Sequence, residues 1–203
     1  GTVTQRVADA LGWHYLDSGA LYRLTALAAR KAGVDWQDEV AVAGIAAQLP
    51  VRFVGGQTLL GDEVVDDQMR TEEMGIGAST VGALPTVREA LLLRQRAFRQ
   101  APGLVADGRD MGSVVFPDAQ TKVFLTATAA VRADRRYKQL IEKGFSAKLQ
   151  GILQDLEDRD ARDAARTVAP LRQEADAKLL ETSSLTIAQA VDQVLDWSRN
   201  KAS

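Results

Sequence analysis

Apolar positions along the chain switch repeatedly between a period of three to four and short continuous runs, predicting alternating helices and strands. Val3, Val7 and Leu11 recur at i, i+4 and i+8, with Thr2 as the expected N-cap and Gly12 as the stop. Trp13–Leu16 is a short aromatic-rich strand ending in Asp17-Ser18-Gly19. A helix follows with Leu21, Leu24 and Ala28 on one face, Tyr22 and Arg23 in its first turn, and Gly33 as its stop. A helix of about a dozen residues around Val40–Leu49 is stopped by Pro50. Short strands at Val51–Val54, Thr58–Leu60 and Glu63–Val65 are then separated by Gly55-Gly56 and Gly61-Asp62. Another helix starts near Thr71, carries Ser79 and ends near Ala83, and Pro85 opens a longer one with Val87, Leu91 and Phe98 as its buried stripe.

The second half repeats the alternation. Leu104–Ala106 is a strand that breaks into Asp107-Gly108-Arg109-Asp110, and Thr121–Thr126 is another. A helix from Ala129 to Lys143 stops at Gly144, and the next has Leu149, Ile152, Leu153 and Leu156 on its apolar face. Lys178–Thr182 is the last strand, before a helix with Ile187, Val191, Val194 and Leu195 inward. Strands alternating with helices predict a three-layer α/β fold with a mainly parallel sheet. Residues 35–83 form an insertion in a core made of 1–34 and 84–203.

Composition narrows the function classes. Lys plus Arg number 25 and Asp plus Glu 27, so a net charge of −2 gives no basic bias toward nucleic acid or membrane surfaces. The absence of cysteine excludes disulfides and thiolate metal sites and fits a reducing compartment. A single histidine, His14, argues against a histidine-ligated metal or a Ser-His triad. We expect a cytoplasmic monomer.

The remaining polar signal is arginine beside aspartate. In open α/β sheets ligands bind at the carboxyl ends of strands, where Asp107-Gly108-Arg109-Asp110 falls. Arg23 near a helix N-terminus opposes the helix dipole; it is either an ordinary solvated arginine or the partner of an arriving phosphate. Arg159, Asp163 and Arg166 share a helix face, which reads either as a solvated ion-paired surface or as a site. Together these arginines suit a polyanion, and the aspartates suit ribose hydroxyls or a base amino group, so a phosphorylated small molecule is the leading ligand class.

The runs Leu16-Asp-Ser-Gly-Ala-Leu-Tyr-Arg23, Ala78-Ser-Thr-Val81 with Pro85-Thr-Val-Arg88, Ala106-Asp-Gly-Arg-Asp-Met-Gly112, Val115-Phe-Pro-Asp118, and Arg159-Asp-Ala-Arg-Asp-Ala-Ala-Arg166 with Ala169-Pro170 closely resemble the bacterial cytidylate kinases. These are nucleoside monophosphate kinases that phosphorylate CMP and dCMP with ATP, and the matching runs span nearly all the chain in order. The resemblance implies a P-loop kinase fold with a monophosphate-binding insertion and a helical lid over about 132–166. It implies that Ser79, Arg88 and Asp110 read the cytosine edge, and that Arg23 and Arg109 hold the monophosphate. Arg159 and Arg166 join Arg109 around the transferred phosphoryl group; Asp163 contacts the ribose and Ser18 lies near sugar and phosphate. Arg132, Arg135 and Arg136 belong to the lid over ATP, and the resemblance does not single out which of them acts. Mg²⁺ is carried mainly by the nucleotide, and Asp107 either orients its waters or caps a turn.

The family's phosphate loop, G-x-x-x-x-G-K-G-T, should stand directly before the first helix, and Gly1-Thr2 are its end. We expect a preceding strand and lysine to complete it; a polypeptide starting at Gly1 should lack kinase activity. The alternatives are a related kinase with another acceptor, a non-catalytic nucleotide-binding module, or an interaction protein that leaves the arginines unexplained.

Overall fold

The computed structural model describes residues 1–165 and 173–200, the side chains of Asp163 and Ala164 excepted. The chain divides into two compact units, Gly1–Gly108 and Arg109–Ser203.

The first unit begins with α1 (Thr2–Leu11), closed by Gly12 at φ 67°, with the Gly12 and Trp13 amides donating to Asp9 and Ala8 carbonyls. That use of the Trp13 amide delays β1 to His14–Asp17, one residue later than the aromatic run predicts. Gly1 occupies the N-cap position and no side chain caps α1, so Thr2 is its first helical residue rather than its cap. β1 pairs in parallel with β5 (Leu104–Asp107), which sets Asp17 opposite Asp107 at the carboxyl ends. α2 (Ser18–Lys31) starts where the Asp17 carboxylate accepts from the Ala20 amide, and Leu21, Leu24 and Ala26 on it are fully buried. Arg23 is therefore beyond the first turn of α2, because the helix starts at Ser18.

α3 (Glu39–Ala47) has nine residues, shorter than its apolar pattern suggests, and Pro50 separates it from an antiparallel meander. The meander consists of β2 (Val51–Val54), β3 (Gln57–Leu60) and β4 (Glu63–Val64). α4 (Asp66–Met69) is too short to leave a periodic signal. α5 (Glu72–Gly82) is capped by Thr71, and α6 (Pro85–Arg96) has proline in its first turn. The buried stripe of α6 is Val87, Leu91 and Gln95 rather than Phe98, because the helix ends at Arg96. α2 packs on α5 and α3 on α6 around Leu49, Met69, Val81 and Leu91.

The second unit opens with a π-helical turn, Met111–Val115, which the sequence pattern does not reveal. β6 (Val123–Thr126) pairs in parallel with β7 (Lys178–Glu181). α7 (Ala129–Glu142) is capped by Thr128 and packs on α8 (Leu149–Ala165); α9 (Ile187–Asn200) buries Ala190, Val191 and Leu195. Both parallel pairs agree with the α/β expectation. Among the described residues no helix is long and apolar enough to cross a membrane.

Candidate functional site

In the first unit, several of the sequence-selected residues gather at two places. The carboxyl ends of β1 and β5 hold Asp17 and Asp107 in register. The Gly1 nitrogen lies against the Asp107 carboxylate, so the α1 N-terminus, with Gly1 and Thr2, lies beside the same strand ends. Helix N-termini favour anions through their unpaired amides and dipole. Burial pushes the Asp17 carboxyl above its ordinary value, with the Asp107 charge adding to the rise; the Ala20 amide and the Arg70 charge oppose it. Tyr15, half-buried beside both carboxylates, is pushed upward in turn, by desolvation first and by the Asp17 and Asp107 charges after it.

An aspartate raised in the fold disfavours folding as pH climbs from its unfolded value through its folded one, and the cost is full above both. Asparagine caps helices as well as aspartate and carries no charge. Asp17→Asn should therefore raise the melting temperature at pH 7 by a gain on the order of 0.5–2 kcal/mol, the scale of such replacements. The gain should fade as pH falls through the raised folded value of Asp17 and be gone below about 3.9, and thermal melts across pH read it directly. A melting temperature lowered at pH 7 would contradict this account.

The second place is a pocket of about 550 Å³ lined by Arg23, Glu72, Gly75, Ile76, Ser79 and Thr80. Arg23 reaches it from α2, and its Nη1 donates to the Met69 and Thr71 carbonyls at 3.1 Å each. The fork is thus fixed from behind by backbone acceptors. A Cβ at position 75 would lie 3.1 Å from Arg23 Nη2, so glycine lets the guanidinium lie on the α5 backbone. Ser79 stands one turn further along α5 and lines the same pocket. Arg88 Nη1 donates to Gly82 O at 3.2 Å, tying the first turns of α6 to the end of α5. Ser18, at the start of α2, is buried and its hydroxyl donates to Gln95 Oε1 at 2.6 Å. Gln95 explains the polar residue in the α6 stripe.

In the second unit, Arg109 is exposed in the bend before the π-helical turn. Asp110 is half-buried at the N-cap of that turn, and its carbonyl accepts from the Val114 and Val115 amides. The turn is seated on Lys122: a Cβ on Gly112 would lie 3.0 Å from the lysine Cδ, and the lysine Nζ bonds Pro117 O at 2.7 Å and Asp176 at 2.8 Å.

A further cluster centres on Asp160 of α8. Arg132 of α7 grips it with both Nη atoms, Nη1 at 2.9 Å from Oδ1 and Nη2 on Oδ2, while its Nε donates to Ala127 O at 3.1 Å. The Arg132 hydrogen bond, followed by the charges of Arg132, Arg159 and Arg109, holds the Asp160 carboxyl below its usual value against the opposing effect of burial. Arg109 and Arg159 thus share one electrostatic neighbourhood. Arg135 donates to Thr182 Oγ1 at 3.2 Å and to Thr182 O at 2.8 Å, while Arg136 is exposed on α7. Asp163 lies on α8 with its side chain outside the described atoms, and Arg166 lies outside the described residues. Asp160 had one faint sequence signal, its place at i+4 from Leu156, the last apolar residue of the α8 stripe.

The family model for cytidylate kinase matches residues 1–200. A cytidylate kinase of Chromobacterium violaceum is 64% identical over 201 residues, covering 99% of this chain and 90% of that protein. Cytidylate kinases of Polynucleobacter asymbioticus and Bordetella bronchiseptica are each 58% identical, covering 97% and 98% of this chain and 90% and 89% of theirs.

Proposed function

The chain belongs to the cytidylate kinase family, and from that premise we propose that it transfers a phosphoryl group from ATP to CMP or dCMP, giving ADP and CDP or dCDP. Its fold is the α/β P-loop kinase type. The observation that carries the acceptor assignment is the pocket that Arg23 and Ser79 line together. An anion-binding fork and a small hydroxyl facing one cavity suit a nucleotide's phosphate and base.

In this reading Arg23 and Arg109 hold the monophosphate, Ser79, Arg88 and Asp110 read the cytosine edge, Asp163 takes the ribose, and Ser18 supports the sugar end. A CMP phosphate oxygen attacks the γ-phosphorus in line, the bond to the β–γ bridging oxygen breaks, and ADP leaves. The protein's work is positioning and charge neutralisation, with no covalent intermediate. Arg109, Arg159 and Arg166 meet charge that develops during transfer, which is how they raise kcat. ATP phosphates lie against the α1 N-terminus at Gly1 and Thr2, and Arg135 and Arg136 belong to the lid over about 132–166. Mg²⁺ carried by ATP would supply charge neutralisation, and Asp107, at the carboxyl end of β5, would orient its waters. Residues 35–83 form the insertion that closes on CMP and excludes water. A cytoplasmic monomer without nucleic-acid or membrane partners completes the reading.

The decisive assay measures ADP release by the chain with the preceding strand and phosphate-loop lysine in place, with CMP, dCMP, UMP, AMP and shikimate as acceptors. Turnover confined to the cytidine nucleotides supports the reading; preference for another acceptor replaces it with a related kinase, and no turnover leaves a binding module. Gly75→Ala tests the pocket itself. Helix propensity favours alanine by about 1 kcal/mol, so stability should hold or rise. The added methyl displaces Arg23, and KM for CMP should rise roughly tenfold, about 1.4 kcal/mol, with kcat much less affected. An unchanged KM would remove Arg23 from phosphate binding.

A further inference from the structure

Neither α7 nor α8 brings much apolar surface to the contact between them. Ala133 is the one buried residue of α7, and none of the described α8 side chains is buried. Half-buried Ile152 and Leu156 lead at steps of four to half-buried Asp160, so the inward stripe of α8 ends on a carboxylate. That carboxylate receives the two-pronged Arg132 fork, whose Nε is anchored to Ala127 O just past the end of β6. A bidentate guanidinium–carboxylate pair fixes orientation as well as distance. Arg159 is the immediate neighbour of Asp160, and Asp163 lies one turn further on.

We propose that Asp160 is a positioning residue, which holds Arg159 at the phosphoryl-transfer site by locking α8 to the β6–α7 junction through Arg132. The inference rests on the kinase reading above. It differs from a surface ion pair in one respect: its effect on catalysis must pass through Arg159. A solvated pair would contribute only about 0.2–1 kcal/mol to stability and nothing specific to turnover.

The experiment is a mutant cycle in the full chain, read by steady-state ADP release with CMP and by thermal melting. Asp160→Asn should lower kcat about tenfold while moving KM for CMP less than about threefold, because it disturbs a group engaged mainly in transfer. Arg132→Lys, which keeps the charge and loses the fork, should give the same kcat loss and serves if Asp160→Asn folds poorly. Adding Asp160→Asn to Arg159→Ala should cost less than about twofold more, the non-additivity expected of residues acting as one unit. Near-normal kcat in both single variants would overturn the proposal, as would an undiminished tenfold loss in the Arg159→Ala background. If the wild-type chain fails to phosphorylate CMP, the kinase reading falls and takes this inference with it; an active wild type with unaffected variants sinks the inference alone.

Discussion

Arg109→Ala should lower kcat/KM for CMP by two orders of magnitude or more, about 3 kcal/mol, while leaving the melting temperature nearly unchanged. The size follows from the difference between a solvated charge and a preorganised one. A surface arginine contributes about 0.2–1 kcal/mol, which would change the rate only a few-fold. A donor aimed at charge that develops in the transition state is worth about 2.7–4 kcal/mol when removed. Arg109 stands in the bend that follows β5, exposed, with Arg159 contributing to the same field around Asp160. Its exposure means that truncation opens no cavity, so the fold should tolerate it. Arg109→Lys separates charge from shape: a lysine keeps the positive charge but cannot present two parallel donors to one phosphate. We expect the lysine variant to recover only part of the lost rate. Steady-state kinetics with CMP and ATP varied independently measures both variants, and a rate within threefold of wild type for Arg109→Ala would exclude it from the reacting centre.

Much of this arrangement was legible in the sequence because the signals are local. Strand ends that turn into Asp17-Ser18-Gly19 and Asp107-Gly108-Arg109-Asp110 mark where β1 and β5 present polar groups, and the parallel register bears this out by pairing Asp17 with Asp107. The hairpin glycines and the Pro50 and Gly144 stops also fall where short-range rules put them. What was not legible depends on distant partners. Within α8 only its place at i+4 from Leu156 sets Asp160 apart from its acidic neighbours, and its role comes from Arg132, on another helix. Gln95 is a polar residue in the buried stripe of α6, and the Ser18 hydroxyl, contributed from α2, accounts for its burial. Gly75 sits unremarkably in a helix, and its reason is the guanidinium of Arg23, contributed from α2. The π-helical turn at Met111–Val115 escaped because one widened turn leaves no period, and Lys122 seats it from outside. The motifs therefore identified chemistry, while the supporting residues emerged only from packing.

Asp110 provides the sharper test of specificity. Its backbone carbonyl accepts two amides of the π-helical turn, so the fold's need at this position is met by the main chain. The side chain makes no hydrogen bond or ion pair among the described residues and is half-buried. Removing it should therefore cost little stability. A carboxylate accepts and cannot donate, so it matches the exocyclic amine of cytosine and repels the carbonyl that uracil carries in its place. Asp110→Ala should reduce the preference for CMP over UMP at least tenfold, within the roughly 1.5–3 kcal/mol that a hydrogen bond to a charged group contributes. ATP affinity should change much less. Asp110→Asn adds a sign to the prediction, because its amide can turn a donor toward the uracil carbonyl. UMP turnover should then rise above that of the alanine variant while CMP turnover stays depressed. Ratios of kcat/KM for the two acceptors, measured in competition, decide the matter. If both variants keep the wild-type ratio, the carboxylate does not read the base, and discrimination must rest with Ser79 and Arg88.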